Sequence, residues 1–215
     1  MNSSENNKIF YFTLFIFCIF ISFVHSLFQI SIDSGLVLSN IINYPEPASP
    51  MKYYYFNSWT IINQFSELLL RIGFSVDNAS RIILFLSSFL FSLSAFLIVN
   101  KITSSKFLAL TISLLMMIFQ KNLGDTDYPS LIISNHTYGM ISLAISSIIF
   151  ALIINNYIKL SGFFSALLFS VHPIIGIWIL SISVISLVIF NEKTTRNKFI
   201  LGSAYGFLIT IVSLI

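Results

Sequence analysis

DSGLVLSNIINYPEPASPM, residues 33–51, breaks the apolar character of the first part of the chain. It follows a long apolar run and is too polar and proline-rich to continue it. Pro45, Pro47 and Pro50 each lack a backbone N–H and push the preceding residue towards extended backbone. Long structured loops in compact proteins are usually functional or disordered. The segments on either side determine which kind of protein carries this one.

Those segments are hydrocarbon-compatible. Of the 215 residues, 56% are hydrophobic and 9% charged, where a soluble domain has about 25% charged residues. A bilayer accommodates this much apolar surface and a water-soluble globule does not. The expected class is therefore an all-α, polytopic transmembrane helix bundle forming one integral membrane domain over residues 1–215. The formal net charge of +3 comes without a basic stripe, so nucleic acid is not an expected partner; the lipid bilayer is. Cys18 is the sole cysteine, which excludes an intrachain disulfide and a cysteine-based zinc site. No phosphate-cradling glycine loop, GxSxG or HExxH is present.

Taken in order, residues 9–28 hold no Asp, Glu, Lys or Arg and are long enough to cross a bilayer. A signal peptide ending near Val24-His25-Ser26 is the rival reading. Residues 57–72 change to a helical period, with Trp59, Ile62, Phe65 or Ser66, Leu69 and Ile72 on one face and Glu67 paired with Arg71 at i,i+4. This predicts an interfacial amphipathic helix, so residues 29–80 form an outer loop that contains it. Asp77 or Ser80 is the expected cap of the next helix. Residues 82–99 span, and Lys101 and Lys106 bracket a polar turn. Residues 107–119 are short for a crossing. QKNLGDTDYPSLIISNHTYG, residues 120–139, is a second polar stretch. Residues 138–154 span again. Residues 158–171 and 174–190 are separated by His172-Pro173, which predicts a tight turn or a broken helix. Residues 191–198 read as a charged turn, and the chain from Phe199 is apolar to Ile215, as expected of the N-terminal part of a longer protein.

About seven crossings from a cytoplasmic N-terminus place Lys8, Lys101, Lys106, Lys159, Lys193, Arg196 and Lys198 inside, against Glu5 and Glu192. This obeys the positive-inside rule and fits a plasma or inner membrane. The long loop, Asp125, Asp127, His136 and the His172-Pro173 turn then share the outer face. Ionisable groups near a membrane boundary are costly unless used or paired, so these residues are expected to approach one outward cavity. Each also has a plainer reading. Asp33 is a solvated loop residue or the cap of a short helix, Asp125 and Asp127 serve turn chemistry around Thr126, and His136 belongs to a capping segment. Two carboxylates at i,i+2 are not a metal signature. No cofactor is identified, and whether a divalent cation binds is left open.

The arrangement resembles the GT-C class of integral-membrane glycosyltransferases. In that class a long outer loop after the first span carries a catalytic carboxylate and continues into interfacial helices, and the sugar comes from a polyprenyl-phosphate donor. By position, the resemblance implies Asp33 as the catalytic base. Asp125, Asp127, His136, His172 and Arg71 are the expected substrate-binding residues. Many members carry two acidic residues in that loop, whereas here Asp33 is followed by Ser34 and Gly35. The alternatives are a transporter or permease with a midplane site at the Pro173 break and the short 107–119 segment, and a membrane subunit without chemistry of its own.

Overall fold

A computed structural model of the protein describes residues 3–27, 32–43, 50–57, 60–118, 138–189 and 192–212. The regular structure among them is entirely helical: α1 (Ser3–Ser26), α2 (Asp33–Leu38), α3 (Pro50–Asn57), α4 (Ile61–Arg71), α5 (Val76–Thr103), α6 (Lys106–Ile118), α7 (Tyr138–Ile154), α8 (Ile158–Val171), α9 (Pro173–Val184, continued by a π-helical turn Ile185–Ile189) and α10 (Lys193–Val212).

Local chemistry sets the boundaries. The Thr60 side chain caps α4 by accepting from Asn63 N at 3.2 Å, and Ser75 caps α5 by accepting from Asn78 N at 3.3 Å. The cap of α5 is thus Ser75, not Asp77 or Ser80, and the helix starts earlier than the apolar run because its first turn is polar and exposed. Left-handed backbone ends two helices, at Ser104 (φ 55) after α5 and at Asn156 (φ 62) after α7. His172 is extended (φ −149, ψ 98) and Pro173 opens α9, where its missing N–H has no helical partner to lose. Gly176 lies against the backbone of Phe169, so α8 and α9 fold into an antiparallel hairpin with His172 at its apex. Of the two expected forms, a tight turn and a broken helix, the turn is found.

Two other segments differ from the sequence reading. Residues 33–38, expected within an irregular loop, are helical. Residues 193–198, expected as a charged turn, form the start of α10, with Arg196 N bonded to Glu192 O at 3.0 Å.

The long helices pack with consistent direction. α1 runs antiparallel to α5: the rings of Phe10 and Phe96 are 5.7 Å apart, those of Phe15 and Phe89 5.9 Å, and Ile21 shares a cluster with Leu84 and Phe91. α5 and α7 run parallel. Ile83 is buried with Ile141 and Ile145 near their starts, and Asn155 Nδ2 donates to Leu97 O at 3.4 Å near their ends. α8 and α10 also run parallel. A Cβ on Gly202 would collide with the Lys159 carbonyl oxygen, one on Gly206 with that of Phe163, and one on Gly162 with that of Phe199. Only glycine permits this approach.

Burial follows size more than polarity. Among the described residues, the buried polar side chains are serines apart from Asn63 and Thr210. Most hydroxyls are satisfied within their own helix: Ser87 donates to Ile83 O at 3.1 Å, Ser113 to Ala109 O at 2.8 Å, Ser146 to Ser142 O at 2.8 Å and Ser165 to Ser161 O at 2.8 Å. Such back-bonding leaves a small residue that lets neighbouring helices close in. Large apolar side chains lie outside instead, among them Phe107 (80% exposed), Ile102 (73%) and Trp178 (66%). α5 alone, with 28 residues, is long and apolar enough to cross a membrane by itself among the described residues. The other apolar stretches, such as Phe10–Ser26, Ile158–Val171 and Pro173–Ile189, are of 10–17 residues.

Candidate functional site

The helix directions sort the charged residues into two ends. At one end lie the last turn of α5 with Lys101 and the first turns of α6, α8 and α10, which carry Lys106, Lys159, Lys193 and Arg196. At the other lie α2, α3, α4, the start of α5 and the His172 apex. An apolar cluster ties the second end together: Ile32, Leu69, Leu70, Ala79, Ile83, Ile141, Ile145, Leu168 and Val171 are buried in it.

Asp33 is the first residue of α2. Its backbone position is fixed on one side by Ile32, which is 3% exposed, and on the other by Ser34 and Gly35. Gly35 packs so closely on Ser66 of α4 that a Cβ there would overlap the Ser66 hydroxyl. The Asp-Ser-Gly sequence therefore seats α2 on α4 and leaves the Asp33 side chain exposed rather than enclosed. Asp33 has no ion pair among the described residues. A carboxylate offers only acceptor oxygens to a donor that approaches it.

The face that α4 buries was only partly expected. Leu69 and Ser66 are buried as the period requires, but Ile72 is exposed and Asn63 is fully buried. The close approach of Gly35 on α2 accounts for the small Ser66 on this face. Trp59 lies outside the described residues.

His172 is half-buried at the hairpin apex. Its Nδ1 accepts from Ile175 N at 3.4 Å, a long and weak cap of α9. With Nδ1 used as an acceptor, Nε2 is the ring nitrogen left for donation. Since Ile32 and Val171 are buried in one cluster, their chain neighbours Asp33 and His172 stand at the same end of the bundle.

Arg71 is committed elsewhere. Its Nη2 pairs with Glu67 Oε1 at 2.7 Å, the expected i,i+4 partner, and donates to Leu38 O at 3.4 Å. It ties the C-terminus of α4 to that of α2. Arg81, in the second turn of α5, is the cation with unmet capacity at this end: its Nε is buried with no hydrogen-bond partner. The sequence alone does not separate Arg81 from Arg71; the distinction comes from burial. Asp125, Asp127 and His136 lie outside the described residues, so their approach to Asp33 and His172 is a matter for experiment. Among the described residues no three His, Cys, Asp or Glu side chains are grouped as metal ligands.

No protein-family model matches the chain. No curated protein and no solved structure matches it.

Proposed function

We propose that the protein is a multi-span membrane protein whose chemistry lies at the end carrying Asp33 and His172. The observation that carries the membrane reading is the many large apolar side chains left exposed, while serines and glycines are buried at the helix contacts beside the apolar clusters. Burying one such side chain is favourable by about 1.5–3 kcal/mol. A chain in water that leaves dozens of them outside forgoes that gain and exposes aggregation-prone surface. In a bilayer the same side chains meet lipid, and close packing of small residues holds the helices together. Seven apolar helices, α1 and α5–α10, then cross, the shorter ones reaching the interface by snorkelling of flanking lysines.

The reaction that best fits the gathered groups is glycosyl transfer from a polyprenyl-phosphate donor on the outer face. Asp33 accepts the proton of an acceptor hydroxyl as that oxygen bonds to the anomeric carbon and the bond from that carbon to the phosphate oxygen breaks. The departing phosphate takes the electron pair and is met by the Arg81 guanidinium and His172 Nε2–H. Transport is less well supported, because the Pro173 break on which it rested is a hairpin apex and not a midplane interruption. The test is transfer of labelled sugar from a polyprenyl-phosphate donor in membranes containing the full chain. Loss of transfer on Asp33→Asn at unchanged protein level supports the assignment; transfer at the parental rate removes it.

A further inference from the structure

The opposite end of the bundle has a different composition. α8 begins with Lys159, and α10 opens with Lys193, Arg196 and Lys198. The close contact with the Lys159 carbonyl falls on Gly202, in the middle of α10, so in this parallel pair the first turns of α10 project past the start of α8 at this end. Lys159 Nζ sits 5.1 Å from the centre of the Tyr205 ring, which holds its ammonium at the seam between α8 and α10. Lys159, Lys193 and Lys198 are exposed and Arg196 is half-buried. Glu192 is the sole carboxylate at this seam among the described residues. Exposed Leu160, Ile200 and Leu201 stand directly beside the cations.

Four cations, one carboxylate and a rim of exposed aliphatic side chains form a surface suited to one partner chemistry. Aliphatic groups favour acyl chains, while ammonium and guanidinium groups favour phosphate oxygens. We propose that the basic end of the α8–α10 pair is a docking surface for anionic phospholipid headgroups, with Lys159, Lys193, Arg196 and Lys198 as the phosphate-facing residues. The inference rests on the membrane embedding proposed above and goes beyond it, since embedding alone requires no preference among headgroups. Basic residues at a membrane surface each strengthen the attraction to anionic lipid, and the attraction falls off within a Debye length.

The experiment uses the full chain, purified in a non-ionic detergent and mixed with equal amounts of phosphatidylglycerol and phosphatidylcholine. Retained lipid is counted by native mass spectrometry. Phosphatidylglycerol is expected to be retained on the order of tenfold over phosphatidylcholine, with the ratio falling as salt is raised. The quadruple variant Lys159→Gln, Lys193→Gln, Arg196→Gln and Lys198→Gln should bring the ratio near unity. Lys52→Gln, on α3 at the other end, should leave it unchanged. Equal retention of the two lipids by the parent protein, or a preference that survives the quadruple variant, overturns the docking surface while the embedding stands. Alkaline carbonate extraction of cell membranes reads the embedding separately. Release of the chain into the supernatant overturns both.

Discussion

Thr210 Oγ1 lies 3.2 Å from the carbonyl oxygen of Ala166 and 3.1 Å from that of Gly206. A hydroxyl has one proton to donate, so a single O–H is shared between its own helix and the neighbouring one. The interhelical share is open to Thr210 because Gly206 and Gly202, one and two turns earlier on the same face, have already brought α10 against α8. Small residues at every fourth position set the distance, and the hydroxyl uses it.

Replacing Thr210 by Val keeps the shape and removes the donor. The cost expected for a hydrogen bond of this type between membrane helices is about 0.6 kcal/mol. In a protein of this size that corresponds to a fall in Tm of about 1–3 °C. Differential scanning fluorimetry in detergent reads it, and a variant as stable as the parent would show that neither bond contributes to stability.

Gly202→Ala should be more damaging. The added methyl meets backbone, the Lys159 carbonyl, and not the flexible end of a side chain. Relief requires α10 to move away from α8, at a cost of about 1–3 kcal/mol. Ala204→Val, on the exposed side of α10, supplies the comparison and should be close to neutral. Equal stabilities for the two variants would count against the close crossing.

The sequence revealed where helices lie better than which faces they bury. The limits of α7 and α8 are legible because Asn155-Asn156 and His172-Pro173 interrupt uniform apolar runs. The faces are less legible, because the helices are apolar nearly all round and hydrophobic periodicity carries little signal. Size decides there: Asn63 and Ser66 are buried where Ile72 is not, and the glycines of α8 and α10 mark a contact that polarity does not. Residues 33–38 were hidden as a helix because prolines downstream dominate the reading, while Gly35 secures the helix against Ser66. For the candidate site, the placement of Asp33 and His172 at one end followed from counting turns. The engagement of Arg71 with Leu38 O joins residues far apart in sequence, and no local pattern announces it.

Sidedness is the third expectation. With Cys18 replaced by Ala, single cysteines at Ser49 and Thr194 should report opposite sides of the membrane. Cys18 is itself fully buried, so the background carries no competing thiol at the surface. In intact cells an impermeant maleimide should modify the cysteine at position 49 and reach the one at 194 only after permeabilisation. Labelling of both positions in intact cells would remove the proposed topology.

The last expectation concerns Asp33. Its side chain is exposed and has no ion pair among the described residues, so neutralising it removes no folding contact. Surface substitutions of this kind usually change stability by less than about 0.5 kcal/mol. Asp33→Asn should therefore leave membrane yield and Tm unchanged. It retains the shape of the side chain but cannot take up the acceptor proton, and loss of a positioned general base costs about 10²–10⁴-fold in rate. Asp33→Glu keeps the charge on a longer arm and should recover part of the activity, an effect that a purely structural role for Asp33 would not produce. Arg81→Lys provides the matching test for the phosphate. It preserves one positive charge but loses the planar donor set, so the apparent KM for the polyprenyl-phosphate donor should rise while the Asp33-dependent step persists. If Asp33→Asn and Asp33→Glu lose activity equally and both lower Tm, Asp33 is a structural residue of α2 and the base must be sought elsewhere.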